Sequence, residues 1–452
     1  MTNTDFPTAK KSLEQISNLI QSSLNAGADS ADAIVGGSTS ISASSRLEKL
    51  EDFERSEDWE LGLRVFIGTR QAIVSSSDPS ENAMSELVER AINMARAVPK
   101  DPYVGLADTC QLTEIAPDLG ECDPCEPSID DLIDLAQKTE SAALSISGVT
   151  NSEGAAASWG KSWVALAASN GFARIRNASR HSLSVSVIAG KGTEMERDYD
   201  MVSAVWKEDM PDPHKIGLLT GERAVKRLGP KKIKSAQTSV VYDPRVANTL
   251  LHHFSGAING ASVSRGTTFL KDSLGKAVFA KGIDIIDDPL RKRGLRSKAF
   301  DAEGLPTKKH KLIDDGLLTT WILSLASGRQ LQFNSTGHAG RSPSSPPAPG
   351  ASNLFMSPGS LSCSELISDI KDGIYVTELI GMGVNNITGD YSRGASGFWI
   401  ENGEISYPVN EVTIAGNLKE MFLNLTPASD LNFRYGFNAP TVRVEGMTIA
   451  GK

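Results

Sequence analysis

Cysteine is scarce in this chain, with four among 452 residues, at positions 110, 122, 125 and 363. So few thiols exclude a disulfide scaffold. Cys122 and Cys125 form a C-x-x-C in ECDPCEP. A redox pair needs a helix start to lower its thiol pKa, and Pro124, Pro127 and the flanking carboxylates oppose that. A zinc ribbon needs a second C-x-x-C, which is missing. An accidental pair in a connecting loop remains. Cys363, in SLSCSEL ahead of a helix, has no located basic partner and reads as an ordinary half-buried thiol.

Long apolar runs are also missing. None approaches the roughly 18 residues that span a bilayer, which excludes a transmembrane helix. The opening MTNTDFPTAKKSLEQ lacks the apolar core of a signal peptide, which implies a cytoplasmic protein. Basic excess is absent too: 46 Lys and Arg face 55 Asp and Glu, a net charge of −9. Phosphate backbones need a basic face, so nucleic acid is excluded as a partner. The short clusters Arg291-Lys292-Arg293 and Lys231-Lys232 read as solvated loop charge. No Walker-type or G-x-G-x-x-G fingerprint lies between a strand and a helix.

What is present is an ordinary globular composition, 40% hydrophobic and 22% charged. The length exceeds one compact core and implies two or three domains. Leu13, Ile16, Leu19, Ile20 and Leu24 share one helical face before Gly27. ADAIV follows as a strand, then LGLRVFIGTRQAIVSSS as a hairpin turning near Gly68, then a helix from Asp78-Pro79 to about Ala97. After a connector rich in Pro, Asp and Cys, the order recurs. SIDDLIDLAQKTESAAL is helical, two strands flank a Ser-Asn-Gly turn, SLSVSVIAG alternates, and HKIGLLTGERAVKRL closes the unit. The expectation is an α+β fold. Its N-terminal domain (1–228) holds duplicated α-β-β-α halves, about 1–98 and 128–228. GPKKIKS is the linker. Many short Gly-punctuated strands then predict a mainly antiparallel, barrel- or sandwich-like C-terminal domain (236–452). GHAGRSPSSPPAPGASN (337–353) reads as a long polar loop of the functional or disordered kind.

One stretch carries most of the chemical interest: LLHHFSGAINGA, residues 250–261. Asp243-Pro244 supplies a cap and a first-turn proline. Val246, Ala247, Leu250, Leu251, Phe254, Ala257 and Ile258 form a continuous stripe. His252 then falls nearly opposite that stripe and His253 at its edge, so the two imidazoles diverge. A helical metal pair needs a spacing of three or four with converging rings. The positions three and four from His252 are Thr249, Ser255, Asn248 and Gly256, none a strong zinc donor. On physics alone, an exposed or interface histidine is favoured over a zinc helix.

LLHHFSGA resembles the helix of the TldD/PmbA family, whose TldD branch carries H-E-x-x-x-H. In that pattern His252 takes the first ligand's place, His253 replaces the general-base glutamate, and Ala257 replaces the second ligand histidine. The late cysteine ligand has no counterpart in DLNFRYGFNAPTVRVEG. AFDAEGLPTKKHKLIDDGLLTTWI, SNLFMSPG and above all GDYSRGASGFWIENGEISYPVNEVTIAGNL resemble the PmbA (TldE) branch. A catalytic zinc needs three protein ligands and an open position, and without the glutamate nothing takes a proton from the attacking water. The resemblance thus implies a non-catalytic subunit with no catalytic or metal-binding residues and no cofactor of its own. Zinc is expected only in a TldD-type partner, with unfolded peptide as the substrate. Homodimers suit the isolated chain. The family's older label, modulator of DNA gyrase, finds no mechanistic support in an acidic sequence.

Two alternatives stand beside that reading: a metallopeptidase with unrecognised ligands, and a stand-alone peptide-binding scaffold. The candidate peptide-binding residues are His338 beside Arg341, and Tyr391, Ser392 and Arg393 in a Gly-rich stretch. There a peptide is expected to add as a strand. Asp301 and Glu303 resemble the family's D-x-E and otherwise read as a structural pair at an acidic turn.

Overall fold

Thr8 opens helix α1 (Ala9–Asn25) by accepting the Lys11 amide, and Ile16, Leu19 and Ile20 are its buried apolar face. The computed structural model describes residues 7–451; the first six, part of the stretch read for a signal peptide, and Lys452 lie outside the described residues. Strands β1 (Ser30–Arg46) and β2 (Lys49–Ile67) run far beyond ADAIV and LGLRVFI. Residues 36–45 of β1, GGSTSISASS, are small or polar apart from Ile41, and Arg46 through Arg55 are exposed, so that arm carries little apolar alternation to read. Its turn holds Leu47 at φ 50° and Glu48 at φ 62°, a geometry that usually calls for Asn-Gly. Glu140 of α3 (Ile129–Leu144) compensates by accepting the Leu47 and Glu48 amides at 2.8 and 3.0 Å.

Strand β3 (Arg70–Ser76) and helix α2 (Glu81–Ala97) complete the first helix–strands–helix run. Helix α3, strands β4 (Val149–Ala168), β5 (Ala173–Ala189) and β6 (Glu196–Ala204), and helix α4 (Pro213–Lys226) form the second. The antiparallel β1–β4 pairing fuses both runs into one sheet ordered β3-β2-β1-β4-β5-β6. Alternation gives this sheet two faces. Ala33, Val35, Leu61, Leu63, Val65 and Ala165 pack in the core that includes α1 and α2 residues, where each large apolar side chain contributes about 1.5–3 kcal/mol. Ile34 and Leu166 point the other way and pack with Ala299 and Phe300.

The rest of the chain covers that second face. Strand β7 (Ala236–Tyr242) leads into helix α5 (Pro244–Ala257), whose cap Asp243 accepts the Arg245 amide at 2.9 Å. Strand β7 runs parallel to Asp372–Val384, which continues through Asp390–Glu401 to Glu404–Asn417. Val442–Ala450 pairs with both β7 and Glu404–Asn417 and closes a five-stranded barrel. The expected mixed α+β fold with a barrel-like, mostly antiparallel C-terminal part is therefore observed. Helix α5 fills the barrel with Leu250, Leu251, Phe254 and Ala257.

Buried charge ties the sheet to this C-terminal part. Asp32 and Arg64 are direct cross-strand partners and form a buried ion pair. Arg341 adds a second contact to Asp32 at 2.7 Å. Burial works to raise the Asp32 carboxyl, but Arg341 and Arg64 outweigh it and hold it below the ordinary range. The 337–353 loop that carries Arg341 is ordered by Ala339–Gly340 pairing with Ala348–Pro349. The Pro343 carbonyl fills the space where a Cβ on Gly62 would stand, 1.9 Å away, so β2 needs glycine there. Among the described residues no helix is long and apolar enough to cross a membrane.

Candidate functional site: a cleft between sheet and barrel

Strand alternation turns Arg176 and Arg180 of β5 toward the barrel, on the same face as Ile34, Val164 and Leu166. Two cavities follow, of about 370 and about 360 Å³. They share Arg180, Leu295 and Arg296 as walls and form one cleft.

The second cavity contains His252. The residue as a whole is exposed, but its ring stacks on Phe437, with centroids 4.2 Å apart, and is partly desolvated. His253 leans the other way, edge-on to Tyr391 at 6.0 Å, and its Nε2 is buried without a hydrogen-bond partner among the described residues. The divergence expected from the helical spacing is what the helix presents. Burial and the Arg296 guanidinium hold His252 below its ordinary pKa. Burial, then Arg393 and His252, push His253 down to about 4, so it is neutral at pH 7.

The residues around His252 do not fit a zinc ion. Ala257 is buried in the barrel core and offers no donor. Asp200, the only carboxylate among the described residues lining this cavity, binds Arg223 at 3.1 Å and Arg434 at 2.6 Å. Arg180, Arg245, Arg296 and Arg434 bring positive charge to the walls, which repels a divalent cation. Among the described residues no group of three or more His, Cys, Asp or Glu side chains is arranged to hold a metal.

The other predicted positions fall elsewhere. His338 is buried, not on an open loop; its Nε2 donates to Asp287 at 3.1 Å and its Nδ1 meets the Thr336 hydroxyl at 2.8 Å. Tyr391 and Arg393 are buried in the barrel wall, and only Ser392 is exposed. Their strand is paired on both sides, through Ser392 to Gly383 and Ala415, so a peptide cannot add there as a further strand. That corrects the expectation for 391–393: the glycines serve the barrel. Asp301 accepts the amides of Glu303, Leu305 and Ala339, a structural role. Glu303 is partly buried, and desolvation with the neighbouring Asp301 charge raises it to about 7. Cys363 is half-buried with its pKa raised by burial, and all four cysteines are unpaired.

The Arg291-Lys292-Arg293 cluster is only partly the solvated loop expected. Arg291 lies over Phe433, 3.5 Å from the ring centroid, and Arg293 lies over Trp206 and pairs with Glu208. The cleft cations Arg176, Arg180, Arg296 and Lys298 escaped sequence reading altogether. Their one local signal was the alternation of Arg174, Arg176 and Arg180 along β5.

Models of the PmbA/TldA metallopeptidase domain 1, central domain and C-terminal domain match residues 31–95, 122–228 and 235–451. The chain belongs to this PmbA/TldD family. Metalloprotease PmbA of Escherichia coli O157:H7 is 38% identical over 445 residues, 98% of this chain and 97% of that protein. A Haemophilus influenzae PmbA homolog is 35% identical over 97% of this chain and 96% of its own length. The fold matches a Bacteroides thetaiotaomicron chain bearing the DNA gyrase modulator label, with TM-score 0.90, 24% identity and coverage of 98% and 100%. It also matches TldE from Thermococcus kodakarensis, with TM-score 0.84, 22% identity and coverage of 96% and 99%.

Proposed function

We propose that this chain is the non-catalytic, PmbA/TldE-type subunit of a metalloprotease assembly, which pairs with a TldD-type zinc subunit and helps process unfolded peptide. One observation carries the reading. His252 stands alone in a cavity walled by guanidinium groups, with Ala257 in the core and Asp200 held by two arginines. A catalytic zinc needs three protein donors and an open position, and this set supplies one. Metalloprotease is the name its relatives carry, and on this reading the chain supports hydrolysis without housing the metal. Its own part is the cleft, where peptide is received. The same reading divides the chain at 229–235 and locates it in the cytoplasm, which suits four unpaired cysteines.

The test is peptide cleavage by the purified chain alone and after mixing with a TldD-type subunit. Cleavage confined to the mixture and retained by His252→Ala is the expected result. Robust cleavage by the lone chain, lost in His252→Ala, overturns the reading in favour of a metallopeptidase. Failure of any TldD-type chain to associate leaves the stand-alone scaffold.

A further inference from the structure

The larger compartment of the cleft is out of charge balance. Arg176, Arg180, Arg296 and Lys298 line it against two carboxylates, Glu121 and Asp301, together with Arg341, whose terminal nitrogen is paired with Asp32. Asp301 is occupied by three backbone amides, at 2.9, 3.0 and 3.1 Å. Glu121 is 3.8 Å from Arg176, and burial raises it to about 7. Lys298 and Arg296 donate to neutral partners instead, the Ala339 carbonyl at 3.2 Å and the Ala351 carbonyl at 3.1 Å. The Arg341 side chain is 1% exposed, and its Nε has no hydrogen-bond partner among the described residues.

These cations also oppose one another. Burial lowers Lys298, and Arg176 and Arg296 lower it further, against the pull of Asp301 and Asp287. Asp287 is itself committed to Ser352 and His338. Burial lowers Arg296 against the pull of Asp287, and Arg180 lowers it further. A positive excess on the walls of a cavity, with one buried guanidinium nitrogen lacking a hydrogen-bond partner among the described residues, is relieved by an anion. Ile34, Val164, Leu166 and Phe300 give the compartment an apolar stretch of wall. Inorganic phosphate engages the cations and leaves that wall unused. A carboxylate next to an apolar side chain engages both, and the shared walls let the chain behind it extend toward His252.

We propose that this compartment receives the C-terminal carboxylate of a peptide whose last residue is apolar. The inference rests on the reading that the cleft receives peptide, and is independent of any zinc-bearing partner.

The test is isothermal titration of the full chain with acetyl-Ala-Ala-Leu as free acid, with its C-terminal amide and with inorganic phosphate. The acid is expected to bind at least about tenfold tighter than the amide. Lys298→Met and Arg176→Gln, each checked for folding by thermal melt, are expected to lower acid affinity at least about tenfold while leaving the amide unchanged. Arg176 is half-buried at a strand surface, so its variant is a safe second probe. No binding of the acid, equal affinities for acid and amide, or unaltered affinity in the folded variants overturns the proposal. So does phosphate binding more tightly than the acid, which assigns the site to a free anion. Each result is distinct from the mixing experiment, because carboxylate capture can fail while partner-dependent cleavage persists.

Discussion

Two groups of buried charge meet at the junction of sheet and barrel, and they are built differently. Around Asp32 every charge is engaged: one carboxylate lies between Arg64 and Arg341, and all three side chains are nearly fully buried. Around Lys298 the cations are less well matched, since Lys298 and Arg296 donate to backbone carbonyls and Asp301 is already engaged by backbone amides. Buried charge that is matched holds elements together, whereas buried charge of one sign awaits a ligand. The contrast separates the residues that join the two parts of the molecule from those that give the cleft its chemistry.

Breaking the balanced group has the largest expected effect. Asp32→Asn leaves two buried guanidinium groups facing each other, and a loss of about 3–5 kcal/mol is expected in denaturant unfolding. A loss below about 1 kcal/mol makes that pair ornamental.

Glu303 sharpens the comparison through pH. Its folded pKa of about 7 exceeds the ordinary 4.5. Its contribution to stability is therefore complete below pH 4.5 and lost as pH rises through 7. Glu303→Gln is expected to match the parent at pH 4.5 and to exceed it by about 1–3 kcal/mol at pH 8. Parallel stability curves across that range contradict the assignment.

The smallest effect is expected in the unbalanced group. Lys298→Met gives up one hydrogen bond and the attraction of Asp301 and Asp287 but relieves its own desolvation and the repulsion from Arg176 and Arg296, so stability changes by within about 1 kcal/mol. A loss comparable to that of Asp32→Asn places Lys298 in the structural set.

These two groups were unequally legible. Local signals served well: Asp243-Pro244 did start α5, SIDDLIDLAQKTESAAL did mark α3, and alternation did mark SLSVSVIAG as part of β5. The divergence of His252 and His253 also followed from helical spacing. The long β1–β2 arm was illegible because Arg46 through Arg55 are exposed and the buried face of β1 beyond Val35 is built mostly of small or polar residues. The cleft was illegible for another reason. Arg176 and Arg180, Arg296 and Lys298, and Arg341 come from three distant segments that only the docking of barrel on sheet brings together. The same docking buried His338, which its polar neighbours had suggested was on an open loop.

The most direct measurement of the central claim is zinc binding by the purified full chain, using equilibrium dialysis against zinc with plasma mass spectrometry as the readout. The account predicts far less than one zinc per chain, unchanged by His252→Ala. About one tightly held zinc per chain, lost in His252→Ala, contradicts it.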